Sequence, residues 1–374
     1  MEIAYNADML RCPVRFTVAL CLLPLLIGLW LIETPREPVV AFDPPQRVET
    51  RNPKIGVHTR LTDEAAAWKI QRTLRMVREM GAAWIVEYFP WLYLEPAKGV
   101  FDWAHSDAVI DHAENQGLAV IARLGLVPAW ARSNPRVTTV NTLDAEHYAD
   151  FGDFVYAFVT RYRGRVRHII IWNEPNLSFE WGLRPVSARE YVDVLRVVYA
   201  RAKEADPDVI VLAGALAPTL EPEGSPAGLN DLIYLRQMYD AGAAACFDAL
   251  AAHAYGLTAP MDDPPDPARI NFRRVELLRE IMLKNGDAGK PIYITEAGWN
   301  DSPRWSNAVS PAQRITYTMA AYEWAKSTGW VEVLAMWAFR YPRPTRTYQD
   351  NWTWVDEDFE PKPIYEEVRV RNVE

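Results

Sequence analysis

The sequence contains 374 residues, of which 49% are hydrophobic and 24% are charged, and its formal net charge is −9. This composition is typical of a globular protein, and the lack of a long basic run argues against nucleic acid as a partner. The six histidines are scattered and no His or Cys pair has the spacing of a metal site, so we expect no metal and no other cofactor.

The N-terminal region contains an uncharged apolar run over residues 16–32, FTVALCLLPLLIGLWLI, preceded by Arg11 and Arg15. The run is just long enough to cross a bilayer, and basic residues before it favour a cytoplasmic N-terminus. No small-x-small cleavage site follows, which favours an uncleaved anchor over a removed signal peptide. We therefore predict a cytoplasmic segment over 1–15, a transmembrane or signal-anchor segment, a linker over 33–53 rich in Pro and polar residues, and a folded domain outside the cytoplasm.

After the linker, apolar strand-like runs alternate with amphipathic helical patterns. One helix begins with a capping-box pattern at Ser187 and Glu190, and a later one repeats it at Ser310 and Gln313. Because parallel strands need crossover helices and eight strands close a sheet, we predict an α/β fold, a (β/α)8 TIM barrel over residues 54–374. A doubly wound sheet is the alternative, but no G-x-G-x-x-G follows the first strand. The predicted strands cover residues 54–59, 82–89, 118–126, 168–174, 208–217, 246–255, 291–299 and 331–339.

Polar and aromatic side chains accumulate where the predicted strands end. Glu174 follows the apolar run HIII on the fourth strand, and Glu296 follows IYIT on the seventh. A carboxylate buried alone is too costly, so each must face a cavity or be paired. The fourth and seventh strands of a barrel lie roughly opposite each other, so the two carboxylates would point across one pocket, as cleavage of a glycosidic bond requires. The 15 tryptophans, many of them beside polar residues or proline, would suit stacking on sugar rings.

The motifs WNEPN, at residues 172–176, and ITEAGW, at residues 294–299, resemble those of the retaining glycoside hydrolases of clan A. The similarity extends by topology from Lys54 to the C-terminus. The segment over residues 89–107 is similar to the one that follows the second strand in families 39 and 42. NEPN is closest to family 39, with family 5 or family 42-like relatives as alternatives.

This resemblance implies that Glu174 is the acid/base and Glu296 the nucleophile of a double displacement. It also implies a set of residues around the sugar. We expect Asn173 to donate to a sugar 2-hydroxyl, Tyr255 to hold the nucleophile ionised through a hydrogen bond, and Trp337 to form a floor for the ring. The predicted substrate-binding residues are Asn173, His253, Tyr255, Trp337, Trp91 and Arg123.

The sequence departs from the clan pattern at the second strand. Many clan members carry an arginine there that supports the nucleophile, and WIVEYFPW contains none. Arg123, on the third strand, is a candidate substitute, and Glu87 is an unexpected additional acid at the rim. His58 and Arg123 are interpreted equally well as functional or structural residues. Trp130 fits either loop packing or a platform for a sugar subsite, and loop packing is slightly favoured.

The predicted function is therefore a retaining glycoside hydrolase that acts on an extracytoplasmic oligo- or polysaccharide. Carbohydrate and membrane are its expected partners. A catalytically inactive barrel that binds glycans at the cell surface is the alternative, and an envelope protein used as an interaction platform is a third possibility. A Ser-His-Asp hydrolase is not favoured because the sequence lacks G-x-S-x-G.

Overall fold

The structure is a computed structural model that describes residues 40–42 and 44–373. The predicted cytoplasmic and anchor segments, 1–15 and 16–32, lie outside the described residues, as does most of the predicted linker. Among the residues that are described, no helix has the length and apolar character needed to span a membrane.

Eight parallel strands form a closed barrel in which each strand pairs with the next along the chain and β8 pairs with β1. The predicted TIM-type barrel is therefore confirmed. The fourth strand is shorter than predicted, because the backbone leaves the sheet before the WNEPN motif. The strands are β1 (Ile55–His58), β2 (Trp84–Pro90), β3 (Ala119–Gly125), β4 (His168–Ile171), β5 (Ile210–Leu216), β6 (Ala249–Tyr255), β7 (Ile292–Gly298) and β8 (Val331–Met336).

Helices surround the barrel, and both predicted helix starts are present. Ser310 and Gln313 form a complete capping box, whereas Ser187 accepts from the backbone of Glu190 without the reciprocal bond. Each such cap stabilises its helix by about 1 kcal/mol. The α-helices of the described residues are α1 (Ala67–Glu79), α2 (Trp91–Leu94), α3 (Ala104–Asn115), α4 (Tyr148–Arg161), α5 (Ala188–Ala205), α6 (Asp231–Asp240), α7 (Val275–Lys284), α8 (Pro311–Ser327) and α9 (Pro363–Asn372).

The core has two layers, because successive side chains of each strand alternate between the barrel interior and the helices. On β2, Val86 belongs to the interior cluster, while Ile85 and Phe89 belong to the cluster between strands and helices. The interior cluster is closed at its lower end by Trp84 and Ile210. Apolar side chains thus fill the lower and middle barrel, and the carboxyl ends of the strands are left for polar groups.

A bulge between β6 and β7 sets the direction of one of the predicted catalytic residues. Ala252 pairs with Ile294, but the next residue, His253, pairs with Glu296, so Thr295 is an extra residue in β7. Since side chains alternate along a strand, the extra residue turns Glu296 to the side that His253 occupies. Without it, Glu296 would face the surrounding helices.

Candidate active site

A cavity of about 560 Å³ opens at the carboxyl ends of the strands. Six of the eight predicted site residues contribute to its wall, and one of them, Arg123, has a side chain that is largely covered. Its position is the one that a TIM barrel offers for chemistry, because the loops after all eight strands meet there. The predicted residues in the wall are Arg123, Asn173, Glu174, Tyr255, Glu296 and Trp337.

The carboxylate of Glu296 lies deep in this cavity and is 5% exposed. Arg123 Nη1 donates to its Oε1 at 2.6 Å, and the Tyr255 hydroxyl donates to its Oε2 at 2.6 Å. Burial opposes its ionisation, but the nearby His253, the Arg123 charge and the phenol bond outweigh burial and lower the pKa of Glu296. Glu296 is therefore held as a carboxylate. Arg123 supports it from β3, in place of the arginine that many clan members carry on the second strand.

Glu174 is more accessible than Glu296 and is placed by an unusual backbone. After β4, Trp172 and Glu174 have φ of 75° and 42°, in the left-handed region that few residues other than glycine adopt. The Glu174 amide donates to Ala215 O at 3.1 Å, which ties the turn to β5. Strain of this kind persists only where the surroundings fix it, and it often marks functional positions. The turn aims Glu174 into the cavity.

His253 links the two glutamates from below. Its Nδ1 lies 2.7 Å from Glu174 Oε1 and 3.6 Å from Glu296 Oε2, and its Nε2 lies 3.5 Å from Arg123 Nη2. Because a carboxylate only accepts, the 2.7 Å contact places a proton on Nδ1, which donates to Glu174. The side chain is fully buried. The prediction that His253 binds substrate is therefore contradicted, and its place is that of a positioning residue.

The two amides of WNEPN have separate roles. Asn173 lines the cavity, and its buried Oδ1 has no hydrogen-bond partner within the described part of the chain. A buried polar atom without a partner is costly, so Asn173 is ready to accept from a ligand. Asn176 is instead structural, because its amide group donates to Ala217 O and Leu229 O and accepts from Ala217 N. It joins the loops that follow β4 and β5.

Trp337 lies in the cavity wall directly after β8. Its Nε1 donates to Tyr341 Oη at 2.9 Å, and its ring meets the His58 ring edge-on with centroids 4.6 Å apart. His58 is fully buried, and burial, followed by the charge of Arg123, lowers its pKa well below the usual value. A neutral His58 thus packs against Trp337, the residue predicted to support the sugar ring.

The structure contradicts the predicted sugar contact of Trp91. This residue is fully buried and does not line the cavity; its ring packs on Phe151 and Phe154, and its Nε1 donates to Glu95. The expected packing role of Trp130 agrees with its edge-on contact with Trp91, at a centroid distance of 5.2 Å. The sequence position directly after β2 was misleading, because α2 begins there and turns Trp91 towards α4.

Glu87 is also not a rim acid in contact with the cavity. The alternation along β2 places Tyr88 in the cavity wall and Glu87 away from it, at 1% exposure. Its carboxylate instead accepts hydrogen bonds from the loop that follows β1, including the backbone amides of Leu61 and Thr62. Both oxygens of this carboxylate accept hydrogen bonds from the protein, so its role is structural.

Several cavity residues carried no recognisable signal in the sequence. Glu180 comes from the 3₁₀ turn Phe179–Trp181, where Trp172 Nε1 donates to its carbonyl and Asn141 Nδ2 to its carboxyl. Burial, followed by the charge of Glu174, raises the pKa of Glu180 to about 8. The excess of tryptophan was the only hint of the aromatic wall. The other unpredicted wall residues include Arg60, Tyr88, Trp305, Tyr348 and Trp352.

Glu174, His253 and Glu296 each place one potential ligand atom within 4.8 Å of the others, which is close enough to hold a metal ion. In the structure the two glutamates are instead bound by His253, Arg123 and Tyr255. Glu296 thus has two hydrogen-bond donors and Glu174 has one, and the expectation that the protein needs no metal stays a prediction.

Comparison with known proteins places the chain in a family. A family model described as the glycosyl hydrolase catalytic core matches residues 125–364, which is more than half of the chain. The chain belongs to the glycosyl hydrolase catalytic core family. A family 42 model, described as beta-galactosidase, matches residues 63–169 of this glycosyl hydrolase core. The comparison with curated proteins gave no match.

Solved structures similar to this glycosyl hydrolase core include several family 39 enzymes. One from Bacteroides cellulosilyticus has a TM-score of 0.66 at 22% identity, over 85% of this chain and 63% of its own. A monomeric beta-xylosidase from Caulobacter crescentus has a TM-score of 0.62 at 20% identity, over 86% of this chain and 69% of its own. A family 39 enzyme from Xanthomonas axonopodis has a TM-score of 0.60 at 17% identity, over 87% of this chain and 67% of its own.

At these identities the likeness is one of fold. The chain spans less than two thirds of the length of the Bacteroides structure. The predicted resemblance to the clan A glycoside hydrolases is confirmed by the family match, and the family 39 structures share the fold of this chain.

Proposed function

We propose that this glycosyl hydrolase core cleaves O-glycosidic bonds with retention of anomeric configuration. The observation that carries the proposal is the spacing and asymmetry of two carboxylates in one cavity, where ligand oxygens of Glu174 and Glu296 lie within 4.8 Å of each other. Retaining enzymes hold their two carboxyl groups about 5–5.5 Å apart, whereas inverting enzymes leave room for a water between them. The separation supports the retaining alternative.

In the proposed first step, a carboxylate oxygen of Glu296 attacks the anomeric carbon while Glu174 gives its proton to the departing oxygen. The glycosidic C–O bond breaks and a covalent glycosyl ester forms. In the second step, water attacks the same carbon, Glu174 accepts a proton from the water, and the ester bond to Glu296 breaks. The bonds from Arg123 and Tyr255 keep Glu296 ionised at the start of each cycle.

The expected substrate is an oligo- or polysaccharide outside the cytoplasm. This location is supported by the Arg-preceded apolar run at residues 16–32, which predicts an anchor. Proteins of similar structure include a beta-xylosidase and a beta-galactosidase, so xylosides and galactosides belong in a first substrate panel.

The test follows the product anomer by NMR on a glycoside that the wild type cleaves. Glu174→Ala should slow cleavage most for poor leaving groups, and azide should then trap the glycosyl-enzyme as a retained product. Glu296→Ala should abolish turnover without azide rescue of retention. Each loss should reach several kcal/mol in the barrier, on the order of 10³-fold or more. Glu323→Ala, at an exposed position on α8, is the matched control and should behave as the wild type.

An inverted product, or near-normal turnover by either variant, would contradict the assigned roles. Binding of glycans without cleavage of any of them would favour the alternative of a catalytically inactive glycan-binding barrel. Activity that persists in a chelator is the outcome expected of a mechanism without a metal.

A further inference from the structure

The guanidinium of Arg60 is a cation in the cavity wall with unused hydrogen-bonding capacity. It lies over the Trp337 ring, with Cζ 5.6 Å from the ring centroid, and its nearest carboxylate is the exposed Asp63 at 3.8 Å. Within residues 40–42 and 44–373 its side chain forms no hydrogen bond. Arg123, by contrast, is paired with Glu296. Arg60 is thus available to a ligand.

The backbone that carries Arg60 is held rigidly. Arg60 has φ of 56°, in the left-handed region. The buried carboxylate of Glu87 fixes the residues on both sides of it, because its Oε2 accepts from Thr59 Oγ1 at 2.5 Å and from Leu61 N at 2.7 Å. Its Oε1 accepts from the backbone and the hydroxyl of Thr62. A buried carboxylate therefore serves to present one arginine to the cavity.

The only carboxylate paired with Arg60 among the described residues is the exposed Asp63, and no carboxylate of the cavity is paired with it. The carboxylate of Glu296 forms an ion pair with Arg123, and that of Glu174 is hydrogen-bonded to His253. Burial, followed by the charge of Glu174, raises the pKa of Glu180 to about 8, so this third carboxyl is mostly protonated at neutral pH. A guanidinium has five donors in a fork that matches two oxygens of a carboxylate or a sulfate.

We propose that Arg60 is a specificity-determining residue that binds an anionic group, a carboxylate or a sulfate, on the sugar that rests on Trp337. This inference rests on the proposed hydrolase function, and it assigns acidic glycans as the substrate class. Glu87 is a positioning residue for this contact, which gives a reason for a buried acid at the end of β2.

The experiment compares matched substrates that differ only in charge. Aryl glucosides are paired with aryl glucuronides and aryl galactosides with aryl galacturonides, in both anomers, and sulfated polysaccharides are paired with their desulfated forms. We expect the wild type to prefer the acidic member of at least one pair. Arg60→Gln should lower kcat/KM for that member by about 10- to 100-fold, the usual effect of losing a charge-assisted hydrogen bond, and leave the neutral member within about threefold.

The control variant is Arg343→Gln, which removes one positive charge from the exposed loop that follows β8. It should leave the ratio between acidic and neutral members unchanged. A second readout needs no turnover: calorimetric binding of acidic oligosaccharides to Glu296→Gln should weaken with added salt and should be lost in the double variant with Arg60→Gln. The pair that shows the preference distinguishes a carboxylate from a sulfate as the anionic group.

Equal effects of Arg60→Gln on acidic and neutral members would overturn the inference, since they would show a packing role on Trp337. A wild type that cleaves only neutral members would also overturn it and leave the proposed hydrolase function standing. If no glycoside or polysaccharide is cleaved or bound, the proposed function fails and the inference fails with it.

Discussion

The carboxylates of Glu174 and Glu296 occupy unequal environments only a few ångströms apart. Glu296 is buried and accepts from Arg123 and Tyr255, whereas Glu174 is more accessible and contacts His253 alone among these groups. Two acids in one site can divide the roles of nucleophile and acid/base only when their surroundings differ in this way. The division proposed for this chain therefore depends on three neighbouring side chains as much as on the glutamates.

Removing the phenol that binds Glu296 should change activity without changing the fold. In Tyr255→Phe the carboxylate loses a donor to its charged form, so the pKa of Glu296 should rise. We expect kcat to fall about 10- to 100-fold and the acid limb of the kcat/KM profile to move to higher pH. Tyr239→Phe, which removes a phenol from Asp287 on the outside of the barrel, is the control. An unshifted acid limb in Tyr255→Phe would contradict this role.

Glu180 should make stability depend on pH. Its pKa is raised from the usual 4.5 to about 8, with burial as the main cause, so the folded state keeps a proton that the unfolded state loses between these values. Its contribution to stability is complete below pH 4.5 and is lost as pH rises through about 8. Glu180→Gln should therefore raise the free energy of unfolding at pH 8 by on the order of 2 kcal/mol, with little change at pH 4.5.

Urea denaturation of wild type and Glu180→Gln across this pH range gives the measurement, with the exposed Glu323→Gln as the control for a lost charge. If the free energy of unfolding changes with pH in the same way for wild type and Glu180→Gln, Glu180 is not the group that makes stability depend on pH.

At the scale of elements, the segments after β6 and β7 pack closely beside the site. Gly256 directly follows Tyr255, and its missing side chain leaves space for the indole of Trp299. That indole is 1% exposed, stacks on Phe272, and donates to Ala259 O at 2.8 Å. The glycine thus allows the ends of two adjacent strands to approach, which keeps Tyr255 and Glu296 in register.

Adding one methyl group at this point should destabilise the protein. A Cβ in Gly256→Ala would lie 2.0 Å from Trp299 Nε1, so the indole or the strand end must move. We expect a loss of about 1–3 kcal/mol in the free energy of unfolding, together with reduced activity as Tyr255 shifts. Gly289→Ala is the control, because nothing lies within 4 Å of its added Cβ. Equal stabilities of the two variants would refute the packing argument.

At the scale of the whole molecule, the described residues from Phe42 onward form one compact barrel unit. The membrane anchor that the sequence predicts at 16–32 lies outside the described residues. The predicted location of the barrel and the chemistry of its cavity are therefore separate questions, to be tested by separate experiments.

We predict that the full chain fractionates with membranes and that the barrel is exposed on the extracytoplasmic side. The reason is the uncharged run at 16–32, preceded by Arg11 and Arg15 and not followed by a small-x-small site. Protease applied to intact spheroplasts should digest an accessible tag placed after residue 374. Soluble protein whose N-terminus begins near residue 33 would show that the segment is removed.

Local sequence patterns were enough to predict the eight strands, the barrel and the two catalytic candidates. Each strand is a short apolar run covered on both faces. Such runs, and the helical patterns between them, can be recognised from neighbouring residues in the sequence. Glu174 and Glu296 stood out for a related reason, since a carboxylate that ends an apolar strand needs either a cavity or a partner. The sequence motifs then gave the family.

The side chains that contact these glutamates could be identified only from the folded barrel. The bulge at Thr295 turns Glu296 inward, and a one-residue change in register cannot be read from composition. Arg60 and Glu180 reach the cavity from loops with no periodic signal, while Trp91, which looked like a site residue, turns into the core. Loop side chains are placed by packing between segments far apart in the chain, and that packing exists only once the barrel has closed.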